Sequence, residues 1–300
     1  MWLTLSIASA VIFGAAGWFM KVSQMKGGSI AVLLIWLYIV GTLGFGVHTI
    51  MEGSWQQLAV FQVWISGLLI GIGSAFGNYL FMKALGTGPA SLTSPLSNAN
   101  IVLVILMGTF IYHEPLGFMQ FISIALLLIA TVLIAQRRDN RSITSYWWFV
   151  YIAAAIVMFA IRNGGLKVTA EFGYASAPVL FVAYLLSILF FAPAAVREQQ
   201  ILRKNTRIAQ SSYAIATNAQ KVGLRYGLIS GICSYGGLQL YAVALQDGPA
   251  NLVAPIFATN GLLVSVLSIL VYKERLSRMQ TAAFICLLVG LVCIRISLHD

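Results

Sequence analysis

Arg162 stands inside an otherwise apolar run, "FAIRNGG", several residues short of where that run ends. Holding a charge there costs at least about 2.5–3.5 kcal/mol, so such an arginine faces water, a partner or the membrane surface. Two readings fit. The side chain snorkels one to two turns to the outer surface, or it makes a cationic contact for an anionic or carboxylate-bearing ligand. In the second reading Asn163 and the flexible Gly164-Gly165 pair assist. A second set of polar residues follows a proline in "SPLSNAN", where Pro95 leaves a carbonyl near Ser91 without its intrahelical partner. Hydrocarbon tolerates a freed carbonyl only where it faces protein or a wet cavity. Ser94, Ser97, Asn98 and Asn100 cluster there, as Thr259 and Asn260 do after Pro255. The pattern predicts a central cavity lined by Arg162, Asn163, Asn78, Tyr79, Ser97, Asn98, Asn100, Tyr235, Gln239, Thr259 and Asn260.

Other chemistries lack their residues. No metal-ligand or nucleophile motif occurs, so no catalytic residue, metal or cofactor is expected. His48, His113 and His299 stand singly, and Cys233, Cys286 and Cys293 lie in apolar runs as small hydrophobes. Every Asp and Glu falls in a loop or at a helix end, whereas a pump exchanging protons for lipophilic cations needs a carboxylate at a helix centre. Glu114 and Glu274 read as helix caps or loop ion-pair partners. An integral enzyme for lipid-linked substrates would need clustered His, Asp or Glu at a membrane surface, and the sequence has none.

The elements that must position these residues are membrane helices. Of the 300 residues 60% are hydrophobic and only 9% charged, with a mean hydropathy of +0.90, far from the roughly 25% charged residues of soluble domains. Apolar runs of bilayer-spanning length recur at 2–22, 30–50, 61–83, 91–111, 116–136, 146–168, 176–196, 223–244, 251–271 and 279–298. The first run continues past an Ala-Ser-Ala stretch and lacks a basic leader, so it reads as a helix rather than a signal peptide. The net charge of +10 sits in short loops, which marks topology and not nucleic-acid binding.

Sliding the chain by about 160 residues superposes Ala84–Ile134 on Ala244–Ile294 without a gap, pairing Gly88/Gly248, Pro89/Pro249, Pro95/Pro255, Asn100/Asn260, Glu114/Glu274 and Gln120/Gln280. Gly67 and Gly71 pair with Gly227 and Gly231, small residues at a spacing that lets helices approach. Upstream, "FGAAGWFMKV" parallels "FAIRNGGLKV" at a shorter offset. The expected fold class is an all-α membrane protein of ten transmembrane helices, built as two five-helix repeats, 1–142 and 143–300. An odd helix count inverts the second copy, a construction common to secondary transporters.

Lys21, Lys26, Lys83, Arg137, Arg138, Arg141, Arg197, Arg203, Lys204, Arg207, Lys221, Arg225, Lys273, Arg275 and Arg278 fall on one face. Lys167 and Arg295 fall on the other. The positive-inside rule places the basic face in the cytoplasm and both termini outside, in a multi-pass protein of the cell membrane. The repeat offers a control: "YKERLSR" in the second copy is "YHEPLGF" in the first, the same motif on the opposite face with its bases gone.

The segments "FMKALGTGPASLTSPL…IYHEPLGFMQ" and "LYAVALQDGPANLVAPI…VYKERLSRMQTAAFICLLVGLVCI", with the opening "GWFMK", resemble the ten-helix EamA-type branch of the drug/metabolite transporter superfamily. The resemblance covers nearly the whole chain. It implies two pseudo-symmetric halves around a central cavity, alternating access, and cargo drawn from amino acids, other metabolites, nucleotide sugars and drugs. The charge bias departs from the family's usual cytoplasmic termini. The sequence therefore points to a secondary transporter for a small polar or anionic metabolite, with a small-molecule substrate and the lipid bilayer as its partners. The alternative is a structural or regulatory membrane component without transport.

Overall fold

The computed structural model describes residues 1–87, 90–114, 117–135, 146–205 and 210–271, with positions 282, 285, 286 and 289 beyond them. The described residues are helical throughout their ordered elements: α1 Trp2–Met25, α2 Ile30–Met51, α3 Phe61–Thr87, α4 Ala90–Ser97, α5 Asn100–Phe110, α6 Phe118–Ala135, α7 Trp147–Glu171, α8 Ser176–Asn205, α9 Gln210–Asp247, α10 Ala250–Ala258 and α11 Asn260–Val271. Among them six are long and apolar enough to cross a bilayer: α1, α2, α3, α7, the Ser176–Arg197 part of α8 and the Thr217–Asp247 part of α9. Helix is the form such runs must take, because it satisfies every backbone group without water. Leu43, Phe61, Leu69, Leu189 and Ile232 stand exposed on the outside of the bundle, a surface suited to lipid.

The expected spans 91–111 and 251–271 are not single helices. The first is divided into α4 and α5 at Asn98–Ala99, the second into α10 and α11 at Thr259. The breaks fall a few residues beyond Pro95 and Pro255, and polar side chains satisfy the carbonyls released there. Asn100 Nδ2 donates to the Ser97 carbonyl at 2.7 Å and Asn260 Nδ2 to the Phe257 carbonyl at 2.7 Å. Thr259 Oγ1 donates to the Ile256 carbonyl at 2.7 Å, and Asn98 Nδ2 crosses between the two breaks to the Ala258 carbonyl at 2.8 Å. All of the expected span 279–298 except positions 282, 285, 286 and 289, the Gly88-Pro89 turn, Glu274 and the basic loop at Arg137, Arg138 and Arg141 lie outside the described residues.

α1 lies along α9 and α3 along α7, while α2 sits against α8 and α9 and α8 also packs on α3. The glycine pairs permit this closeness. A β-carbon at Gly71 would stand 2.7 Å from the Ala183 carbonyl oxygen, and one at Gly231 would stand 2.9 Å from that of Leu37. Tyr38, Tyr184, Tyr241, Phe45 and Phe257 fill the centre and are fully buried. Cys233 and Cys286 are half-buried free thiols, less enclosed than their apolar setting predicts.

Candidate functional site

Arg162 does not snorkel. It lies in the middle of α7 with 4% of its surface exposed, flanked by the Phe159 ring at 4.6 Å and the Phe13 ring at 5.2 Å from the guanidinium carbon. Stacking of a guanidinium on aromatic faces is favourable once water is excluded. Its Nε donates to Asn163 Oδ1 at 2.9 Å, Asn163 Nδ2 donates to Asn100 Oδ1 at 2.8 Å, and Asn100 passes on to the break after α4. One chain of hydrogen bonds thus ties the buried cation to the interrupted helix. Gly73 lets α3 meet α7 at this level, since a β-carbon there would lie 2.8 Å from the Arg162 backbone nitrogen. Among the described residues, Asn163 is the guanidinium's one hydrogen-bond partner, and no carboxylate reaches it.

Arg162 opens onto a cavity of about 50 Å³ shared with Phe13, Ala16, Met20, Asn78, Ser94, Ser97, Asn98, Asn260 and Val264. That is room for a few waters and not for an organic molecule. Asn78 donates to the Tyr38 hydroxyl at 2.9 Å, which also bonds Ser74 at 3.2 Å. Asn98 Nδ2 reaches Asn260 Oδ1 at 3.4 Å across the two breaks. Ser97 Oγ donates to the Ser94 carbonyl at 2.8 Å. Of the expected lining, then, Arg162, Asn78, Ser97, Asn98 and Asn260 line one space, and Asn163 and Asn100 stand directly behind it.

Four expected residues lie elsewhere. Tyr79, although next to Asn78, lines a separate, open groove of about 560 Å³ with Lys83, Phe190 and Phe191. Thr259 spends its hydroxyl on its own helix break. Tyr235 and Gln239 belong to a second cluster at the end of α2, around a histidine that is not solitary. His48 Nε2 meets Glu52 Oε1 at 2.7 Å, and its Nδ1 meets the Tyr235 hydroxyl at 3.1 Å. Gln239 Nε2 lies 3.3 Å from His48 Nε2 and donates to Ser176 Oγ at 3.2 Å. The i, i+4 spacing of His48 and Glu52 carried that signal in the sequence.

A third polar group lies five residues beyond Arg162. Lys167 Nζ contacts Glu114 Oε1 at 3.0 Å and Glu171 Oε1 at 2.6 Å. The left-handed backbone of His113, with φ of 52°, precedes Glu114 in the turn after α5. The Glu114 oxygens accept from the Ala250 and Asn251 backbone N–H groups at 2.9 Å each, capping the N-terminus of α10. Glu114 is therefore both of the things its sequence context offered, cap and ion-pair partner. Just past the end of α5, the Tyr112 phenol is held above its ordinary range by burial and by the Glu171 and Glu114 carboxylates, with Lys167 opposing. Among the described residues no group of three or more His, Cys, Asp or Glu is placed to hold a metal ion.

This helical architecture has known relatives. The family model described as "EamA-like transporter family" matches residues 1–136 and 146–296. The chain belongs to the EamA-like transporter family. Proteins of that family are transporters rather than enzymes, and this EamA-like protein is a multi-pass membrane protein embedded in the lipid bilayer. A solved structure described as "Crystal structure of protein" is similar over 98% of this chain and 96% of its own, with a TM-score of 0.70 at 14% identity. At that identity the likeness concerns the fold. No curated protein matches the sequence.

Proposed function

We propose that this EamA-like protein is a ten-helix secondary transporter that moves a small anionic metabolite by alternating access through the Arg162 cavity. The observation that carries the proposal is a buried guanidinium whose neighbours are amides and aromatic rings and whose charge no described carboxylate neutralises. A buried charge left unpaired in a protein is costly, and an anionic cargo removes that cost while it is bound. Asn163, Asn78, Ser97, Asn98, Asn100 and Asn260 are the proposed contacts and supports around it. The 50 Å³ cavity corresponds to a closed state, and the breaks at Asn98–Ala99 and Thr259 are the flexible points from which it opens.

The inverted repeat, 1–142 with 143–300, belongs to the same proposal and is supported by contacts that exchange in pairs. Tyr38 bonds Ser74 as Tyr184 bonds Ser234. Gly67 faces the Val179 carbonyl as Gly227 faces that of Leu33, and Gly77 abuts Phe159 as Gly237 abuts Phe13. Each member is the counterpart of the other under the offsets read from the sequence. The two rings over Arg162, Phe13 and Phe159, are themselves such a pair, which supports a cation near the axis of the proposed repeat.

Uptake of small organic anions into proteoliposomes tests the function: Arg162→Gln is expected to abolish uptake, and unchanged kinetics would remove Arg162 from the substrate path. The cell-membrane orientation proposed from the basic face has its own test. Alkaline phosphatase fused after Asp300 is expected to be active and a fluorescent protein there dark, and the opposite pair of results would reverse the orientation.

A further inference from the structure

The Arg162 cavity has two unlike walls. Most of its polar side chains come from α3, α4 with the break after it, and α7, helices that pack on one another: Asn78, Ser94, Ser97, Asn98 and Arg162, with Phe81 and Phe159 beside them. The facing wall is Phe13, Ala16 and Met20 of α1, Leu37 of α2 and Val264 of α11. The difference follows the repeat. Arg162 corresponds to Ala16, Asn78 to Leu238, Ser94 to Ala254, Ser97 to Phe257 and Asn98 to Ala258. In each pair the polar member lies on the α3–α4–α7 side. Ser234 and Asn260 are the polar exceptions on the other side, Ser234 bonded to the Tyr184 hydroxyl and Asn260 Nδ2 to the Phe257 carbonyl, just as Asn78, Ser97 and Asn98 are hydrogen-bonded on theirs.

Resting on the reading of Arg162 as an anion contact, we infer that the cargo is an organic monoanion with an apolar body, such as a hydrophobic monocarboxylate, and not a zwitterion. One guanidinium supplies one compensating charge for the head group, through the paired donors that suit a carboxylate. The apolar wall gives the body of the molecule a surface from which water is displaced. An α-ammonium group beside the carboxylate would enter the field of Arg162 with nothing to neutralise it. Among the described residues Glu52, Glu114, Glu171 and Asp247 lie in turns or at helix ends, and the two carboxylates nearest Arg162 along the chain of contacts, Glu114 and Glu171, are bound to Lys167. Burying an unpaired ammonium there is disfavoured by desolvation and by like charge together.

The test uses the purified full chain and four probes: 3-phenylpropionate, phenylalanine, acetate and 3-phenylpropionamide. Affinities are read by calorimetry and uptake in proteoliposomes. 3-Phenylpropionate is expected to bind, with phenylalanine and acetate each at least about tenfold weaker and the uncharged amide weaker still. Asn163→Asp gives Arg162 a permanent counter-ion, at the cost of the Nδ2 donor to Asn100 Oδ1, and is expected to abolish 3-phenylpropionate binding while the ligand-free protein still unfolds in one cooperative thermal transition. Phenylalanine or acetate binding as tightly as 3-phenylpropionate overturns the inference, as does undiminished binding by Asn163→Asp. Failure of the folded parent to bind 3-phenylpropionate overturns it too. In that case succinate or an inorganic anion taken up in an Arg162-dependent manner preserves the broader anion reading, and the absence of any such uptake removes both.

Discussion

Arg162 and Lys167 are two buried cations on one helix, five residues apart, and they are solved in opposite ways. Lys167, 6% exposed, is held by two carboxylates, and one of these also caps α10. Arg162, 4% exposed, has one amide oxygen and two aromatic faces. A buried cation with its acids in place is complete: it fastens α7, the turn after α5 and the start of α10 to one another. A buried cation without them stores a cost that only an outside anion relieves. The contrast separates a fastening from a binding group on the same element, where burial alone does not.

Neutralising each cation sharpens the contrast most. Arg162→Gln is expected to weaken anion binding by about a hundredfold or more, the scale for losing one partner of a desolvated charge pair. It should leave the melting temperature of the ligand-free protein unchanged or higher, because an unpaired charge leaves the interior. Lys167→Gln should do the reverse, lowering the melting temperature because Glu114 is left buried without its cation. If both variants lose stability alike, the two cations are equivalent and Arg162 is structural.

Removing the acid comes next in size. Glu114→Ala strips Lys167 of its buried partner and the first turn of α10 of two hydrogen bonds. The expected loss is about 3–5 kcal/mol, read as a lower midpoint in chemical or thermal unfolding of the detergent-solubilised protein. Glu114→Ala combined with Lys167→Met should recover part of that loss, since no uncompensated charge then remains. A double variant as unstable as the sum of the singles would mean that the two side chains act independently.

What the sequence made legible follows from how local each signal is. The long spans could be read because a bilayer demands uninterrupted apolar runs, and Arg162 stood out because a charge there breaks one. Pro95 and Pro255 announced irregular helices, but they did not show where the chain would divide, because Asn100, Asn260 and Thr259 set the break by supplying donors to stranded carbonyls. The sequence does not show that Tyr79 turns to the groove with Lys83, because α3 is apolar around most of its circumference and leaves no periodicity to say which side faces inward. The sequence does not reveal that Tyr235 and Gln239 meet His48, because these contacts link α2 and α9, which are far apart in sequence. Glu114 was recognisable as a cap or a partner, but its being both at once depends on two helices meeting at one turn.

The smallest expected effect concerns the second acid on Lys167. Glu171 lies one helical turn further along α7, and its 2.6 Å contact is the shorter of the two, yet its side chain is 44% exposed where that of Glu114 is 10% exposed. Water screens an exposed carboxylate, and a pair at i, i+4 with one wet member contributes about 0–1 kcal/mol. Glu171→Gln should therefore shift the unfolding midpoint far less than Glu114→Ala, although the distances alone would rank the two the other way. Raising the ionic strength should reduce the Glu171 contribution further and leave that of Glu114 nearly untouched. A Glu171→Gln variant as unstable as Glu114→Ala would show that contact distance rather than burial sets the strength of this fastening, and with it would go the reason for distinguishing Arg162 from Lys167 by the acids buried around them.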